Sequence, residues 1–175
     1  ARYFDQRYIP ALESFNYILR NYIESNKLNE ATIWREKVNM RLDNPEIAIK
    51  NLKRLLKFEE LKDQEYADTH AVMAQSYLML NAPDTAIQNL KVAQAYTRKN
   101  EERGRYLFII GQLYNQLKIK DSANYAFDKV IALNRRSPRV YMINAHLNKI
   151  QNTEVTAGSQ EFLQDYLTEL EENRE

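Results

Sequence analysis

Histidine, cysteine and the carboxylates carry most acid–base, nucleophilic and metal chemistry. This chain of 175 residues has two histidines, His70 and His146, and no cysteine. A metal site needs three or four such ligands at short spacings. Neither histidine has another His or a Cys within that reach. Disulfides and thiolate chemistry are excluded outright, although the lack of Cys does not choose a compartment. Three glycines cannot build a phosphate-cradling loop, and no Gly-x-Ser-x-Gly elbow occurs. Carboxylates such as Glu59, Glu60, Glu101 and Glu102 fall near predicted helix ends, where solvation accounts for them. No acid and base stand paired beside an apolar pocket. The expectation is a chain that is not an enzyme and uses no cofactor or metal.

Cationic and amide side chains offer binding instead. Lys50, Lys53, Arg54 and Lys57 line one side of a predicted helix. Arg98, Lys99, Arg103 and Arg105 gather at one link, and Arg135, Arg136 and Arg139 at another. Such stripes can hold phosphates. Here they are interleaved with Glu on helices expected to face outward, so nucleic acid is not an expected partner. An RNA-binding helical repeat is the minor alternative. A second set mixes aromatic, amide and cationic groups: Trp34, Lys37, Gln75, Met79, Arg105, Phe108, Gln112, Asn115 and Arg139. Ile33, Ala71 and Met142 stand beside them. This set suits an extended or helical peptide. Trp34 is its natural anchor, unless it packs between hairpins.

The elements that must position these residues repeat. PEIAIKNLKRL at Pro45–Leu55 returns as PDTAIQNLKVA at Pro83–Ala93, and DSANYAFDKVI from Asp121 is a weaker copy. A small residue recurs at Ala11, Ala48, Ala86 and Ala123, in steps of 37, 38 and 37. Four residues after each comes Phe15, Leu52, Leu90 or Phe127, and three further on Ile18, Leu55, Ala93 or Val130. Those offsets place all three on one helix face. The small residue lets two helices approach, and the large one fills the space beside it. Pro45 and Pro83, each followed by an acid, mark helix starts. Pro10 acts in the same way, and Asp121 and Ser122 are able to cap.

The intervening helices read Leu107, Ile110, Gly111, Tyr114 and, one repeat earlier, His70, Met73, Ala74, Tyr77. With Ala123, Phe127 and Val130 this resembles the tetratricopeptide repeat signature, whose period is 34 residues. The resemblance implies an all-α, right-handed solenoid of antiparallel helix-turn-helix hairpins. The longer period implies longer links or longer helices. The copy around Thr32–Asn39 departs from the signature, with Arg35 and Glu36 where Leu-Gly would stand. The chain is expected to comprise an array over 1–150, about four to four and a half hairpins with the first truncated. Residues 1–5 end that truncated helix. Helices are expected over 8–22, 28–42, 45–60, 64–80, 83–99, 102–117, 120–134, 138–150 and 158–173. Ile150–Gly158 is expected to be a loop. Residues 151–175 then form a loop and an amphipathic, acidic C-terminal helix able to complete a fifth hairpin. That segment holds seven acids and one base, in a chain whose net charge is +1. With no polar capping helix evident, the sequence reads as part of a longer solenoid.

Four stretches are similar to a narrower group: FDQRYIPALESFNYI, NEATIWREKVNMRLDNPEIAIKNLKRLLK, YTRKNEERGRYLFIIGQLYNQL and KDSANYAFDKVIALNRRSPRVYMINAH. Together they resemble the Bacteroidetes tetratricopeptide lipoproteins of gliding motility and type IX protein secretion, the SprE/PorW type. The resemblance implies a periplasmic scaffold on the outer membrane, joining other secretion or motility subunits, with any lipid anchor upstream. A cytoplasmic peptide-binding regulatory or sensor domain is the alternative. No apolar run is long enough to span a membrane.

Overall fold

The computed structural model describes residues 2–153 together with 164, 167, 168 and 171. Over the described residues 2–153 eight α-helices follow one another: α1 Tyr8–Asn21, α2 Leu28–Arg41, α3 Pro45–Phe58, α4 Asp63–Met79, α5 Pro83–Tyr96, α6 Asn100–Gln116, α7 Lys120–Ala132 and α8 Arg139–Asn152. Among the described residues there is no strand. No described helix is long and apolar enough to cross a membrane. The chain divides into two compact units, Ala1–Arg98 and Lys99–Glu175.

In the first unit each helix packs on the next, and α2 also packs on α4. In the second, α6, α7 and α8 pack in order, and α6 also meets α8. Stacking of alternate helices beside consecutive pairing is the pattern of helical hairpins in series. The small residues Ala11, Ala48, Ala86 and Ala123 are all buried, as are Leu52, Leu90 and Phe127. One core gathers Ile33, Leu52, Leu55, Val72 and Met73. The other gathers Leu107, Ala123, Phe127, Val130 and Ala145. Each large side chain so buried contributes roughly 1.5–3 kcal/mol. Gly111 shows why the small position matters. A Cβ there would lie 2.4 Å from the Phe127 ring. Gly104 likewise leaves room for Ser137, whose Oγ would be 2.0 Å from an added Cβ.

The turn inside each hairpin has one construction. Gln6, Asp43, Asn81 and Lys118 have φ of 59°, 61°, 54° and 61°, the left-handed conformation that ends a helix. At each, the residue's own N–H reaches back three positions and the next N–H reaches back five. The pairs are Gln6 to Tyr3 and Arg7 to Arg2, Asp43 to Met40 and Asn44 to Asn39, Asn81 to Leu78 and Ala82 to Tyr77, and Lys118 to Asn115 and Ile119 to Tyr114. These are Schellman closures. The four lie five residues before the four buried alanines, so the turn sets the phase of the helix that follows. Residues 2–7 adopt the same closure ahead of α1.

Several boundaries differ from expectation. Helix α5 stops at Tyr96 rather than near 99. Gln64 Oε1 accepts from the Arg98 backbone N–H at 3.0 Å and from Thr97 Oγ1 at 3.3 Å, drawing the chain out of the helix. Helix α3 ends at Phe58, and α7 ends at Ala132 before a 3-10 turn at Asn134–Arg136. No side chain caps α7; the turn at Lys118 starts it, not Asp121 or Ser122. Pro45 and Pro83 are the first residues of their helices, whereas Pro10 is the third of α1. Ile150 was expected to open a loop, but α8 continues through Asn152. The period exceeds 34 because α4 and α6 each run to 17 residues and, in the first step, because a six-residue link over 22–27 precedes the 14-residue α2. Of the helix expected over 158–173, only 164, 167, 168 and 171 are described, and these are helical and exposed.

Candidate partner-binding surface

In the first unit, α2 and α4 carry four of the expected binding residues. Trp34 is half-buried. Its ring meets Tyr3 at 5.3 Å and Phe4 at 5.7 Å, both edge-on. Lys37 Nζ lies 4.2 Å from the centre of the Trp34 ring, a cation–π arrangement. Trp34 thus packs on Tyr3 and Phe4, ahead of α1, while remaining only half-buried. It borders a cleft of about 550 Å³ whose walls include Phe4, Ala11, Phe15, Ile18 and Ala31, with Lys27 and Glu30 also lining it. Phe4 is 74% exposed. Gln75 and Met79, on α4, are both exposed. Ile33 is buried in the core and lines nothing; Ala71 is half-buried.

In the second unit the expected residues divide by what already holds them. Arg105 Nε donates to the Tyr141 hydroxyl at 3.1 Å, and Arg105 Nη2 pairs with Glu101 at 3.1 Å. The first of these, ahead of the charge of Glu101, holds the guanidinium above its ordinary pKa. Phe108 sits 5.8 Å from both Phe127 and Tyr141. Asn115 belongs to an amide network with α7 and α8. Its Nδ2 donates to Asn148 Oδ1 at 3.4 Å, and Asn152 Nδ2 donates to Asn115 and Asn124, each at 2.8 Å. This network fastens the last turn of α8. Gln112 and Arg139 are exposed, and Met142 is buried. Arg105, Phe108 and Asn115 therefore join α6 to its neighbours, while Gln112 and Arg139 face solvent.

No family model matches the chain. No curated protein matches it either. Solved structures that share its fold include two crystal structures of MamA. One is 16% identical with a TM-score of 0.66, covering 98% of this chain and 89% of its own. The other is 15% identical with a TM-score of 0.66, covering 98% and 84%. The fold is a tetratricopeptide-type helical repeat. Identity this low carries the architecture and nothing about partners.

Sequence reasoning missed two features of the surface. Tyr3 and Phe4 were read as part of a truncated helix, without their role as the wall against Trp34. Arg35 and Glu36 were read as degeneracy. Glu36 is wholly buried, and its carboxylate accepts from Arg35 Nε at 2.6 Å, Asn39 Nδ2 at 2.6 Å and Asn51 Nδ2 at 3.1 Å. The signal was present in the sequence: two ionisable residues at positions that are apolar or small in both other copies. Among the described residues no group of three or more His, Cys, Asp or Glu is placed to hold a metal.

Proposed function

We propose that this chain is a non-enzymatic protein–protein interaction scaffold, a segment of a periplasmic lipoprotein subunit in type IX secretion and gliding motility machinery. The observation that carries the scaffold reading is the stacking of alternate helices, α2 on α4 and α6 on α8. It lines up side chains on consecutive repeats, where an extended or helical segment can engage several at once. Gln75 and Met79 in the first unit, and Gln112 and Arg139 in the second, would meet the partner. Trp34, with Lys37 beside it, would anchor a partner's apolar group at the edge of the cleft. The assignment to secretion and motility, and to the periplasmic face of the outer membrane, is supported by the four similar sequence stretches alone.

The test is photocrosslinking in envelope preparations, with a photoreactive residue at Gln75 in one variant and at Gln112 in another. Crosslinks to secretion or motility subunits are the expected result. Crosslinks confined to cytosolic proteins would overturn the location and the machine but keep the scaffold. Their absence at both positions, with crosslinks from outward-facing Lys50, would move the binding face.

A further inference from the structure

Helix α2 departs from the repeat at two adjacent positions, and both departures are ionisable. Where α4 has Met73 and Ala74 and α6 has Ile110 and Gly111, α2 has Arg35 and Glu36. The four counterparts are buried. A carboxylate in such a place is costly unless its hydrogen bonds are supplied, and Glu36 has three. An apolar residue would suffice for packing, as it does in the other copies. The carboxylate adds orientation. It holds Arg35 by Nε and leaves both terminal nitrogens with no acceptor among the described residues.

Arg35 lines a polar cleft of about 420 Å³ together with Asn51, Arg54, Phe58 and Glu59. Arg54 is exposed and makes no ion pair among the described residues. Around it α3 exposes Lys50, Lys53 and Lys57. Lys53 and Lys57 lie 5.8 and 5.1 Å from the ring centres of Tyr77 and Phe58; the interleaving with Glu read for the basic stripes as a group does not hold for this one, since no acid intervenes between Lys50 and Lys57. The acids on this stretch stand at its ends, Glu46 in the first turn of α3 and Glu59 beyond the last. Phe58, at the cleft, is 65% exposed.

We propose that this cleft and the cationic face of α3 form a docking surface for an acidic protein segment. A partner carboxylate takes the planar fork of Arg35 and the guanidinium of Arg54. Further acids lie along Lys50, Lys53 and Lys57, and an apolar side chain covers Phe58. The surface favours such a segment over nucleic acid. A nucleic-acid backbone brings closely spaced charges that would run on into Glu59 and Glu60, whereas a peptide places its acids where the cations are. The surface uses none of the residues assigned above, so it stands or falls separately from that reading.

The test is fluorescence anisotropy on the full chain. One probe is a labelled peptide of Glu, Leu and Ala carrying several glutamates, the other the same peptide with Gln in their place. The Glu peptide should bind and weaken with salt, and the Gln peptide should not bind. Arg54→Gln should weaken binding by about tenfold or more, the loss of one charged hydrogen-bonding partner. Arg35→Gln should do the same, although it leaves Glu36 without its cation and so tests folding too. Arg54 makes no hydrogen bond or ion pair among the described residues, which keeps that variant decisive. Unchanged binding in Arg54→Gln, equal binding of the Gln peptide, or displacement of the Glu peptide by lower concentrations of single-stranded RNA would each overturn the proposal.

Discussion

Gly111 and His70 show how single residues balance opposing terms. Alanine at Gly111 would gain up to about 1 kcal/mol of helix propensity. Its Cβ would also meet three Phe127 ring carbons at 2.4, 2.7 and 2.7 Å. Phe127 is wholly buried and has nowhere to retreat, and overpacking of this kind costs about 1–3 kcal/mol. Sterics win. Gly111→Ala should lower the urea midpoint, and Gly111→Ala with Phe127→Leu should recover part of the loss, a coupling visible in a double-mutant cycle. At His70 the balance is between burial and charge. Asn89 Nδ2 donates to the Thr85 carbonyl at 2.8 Å, which turns its Oδ1 toward His70 Nδ1 at 2.9 Å. His70 therefore donates from Nδ1, and Nε2 is buried with no partner. A second proton would have to sit there. Burial outweighs the Asn89 hydrogen bond and lowers the pKa from its ordinary 6.5. The unfolded chain then binds the proton first as pH falls. Stability from this site is complete above pH 6.5 and is lost as pH drops from there toward the folded-state value. Urea melts of wild type and His70→Gln between pH 7.5 and 5 should show the steeper decline in wild type, with His146 common to both.

At the scale of the element, the hairpin turns decide where helices begin. The starts of α1, α3, α5 and α7 keep the spacing of the buried alanines, while the starts of α2, α4, α6 and α8 drift. The fixed starts follow Schellman closures, and the drifting ones follow links of varied length. None of the four closures uses glycine. Asn and Asp tolerate the left-handed conformation, but Gln6 and Lys118 incur the Cβ penalty of about 1 kcal/mol. Lys118→Gly should therefore stabilise the protein by roughly 0.5–1 kcal/mol by chemical denaturation, while Asn81→Gly should change it by only a few tenths. A helical glycine such as Gly111 predicts the opposite sign for the reverse change, so the two sites together separate backbone conformation from packing. These turns were only partly legible. Pro45 and Pro83 announced the helices after them, yet Gln and Lys at left-handed positions give no local signal. The end of α5 was hidden for a different reason: it depends on Gln64, more than thirty residues earlier. The extension of α8 depends on Asn115 and Asn124 in the same non-local way.

Across the whole molecule, the periodic positions were legible because burial repeats with them, and the proposed binding surface was legible only as a list of types. Side chains equivalent in the repeat are used differently. Phe108 matches the buried Ile33 of α2 and Trp34 matches the buried Val72 of α4, and both aromatic rings are taken up by aromatic neighbours that sequence spacing could not reveal. Gln75 and Gln112 also match, and both face solvent. That contrast separates stability from binding. Trp34→Ala removes a half-buried ring from Tyr3, Phe4 and Lys37, and should cost about 2 kcal/mol, less than a fully buried Trp would. Gln75→Ala with Met79→Ala, or Gln112→Ala alone, touches exposed side chains and should leave the unfolding midpoint within about 0.5 kcal/mol of wild type. If these positions meet the partner, the same changes should reduce recovery of the crosslinked subunit by several-fold at unchanged stability. Denaturant melts and quantitative pull-down on the same preparations measure both. Loss of recovery only in Trp34→Ala, in proportion to its loss of stability, would instead assign Trp34 to packing and remove Gln75, Met79 and Gln112 from the proposed surface.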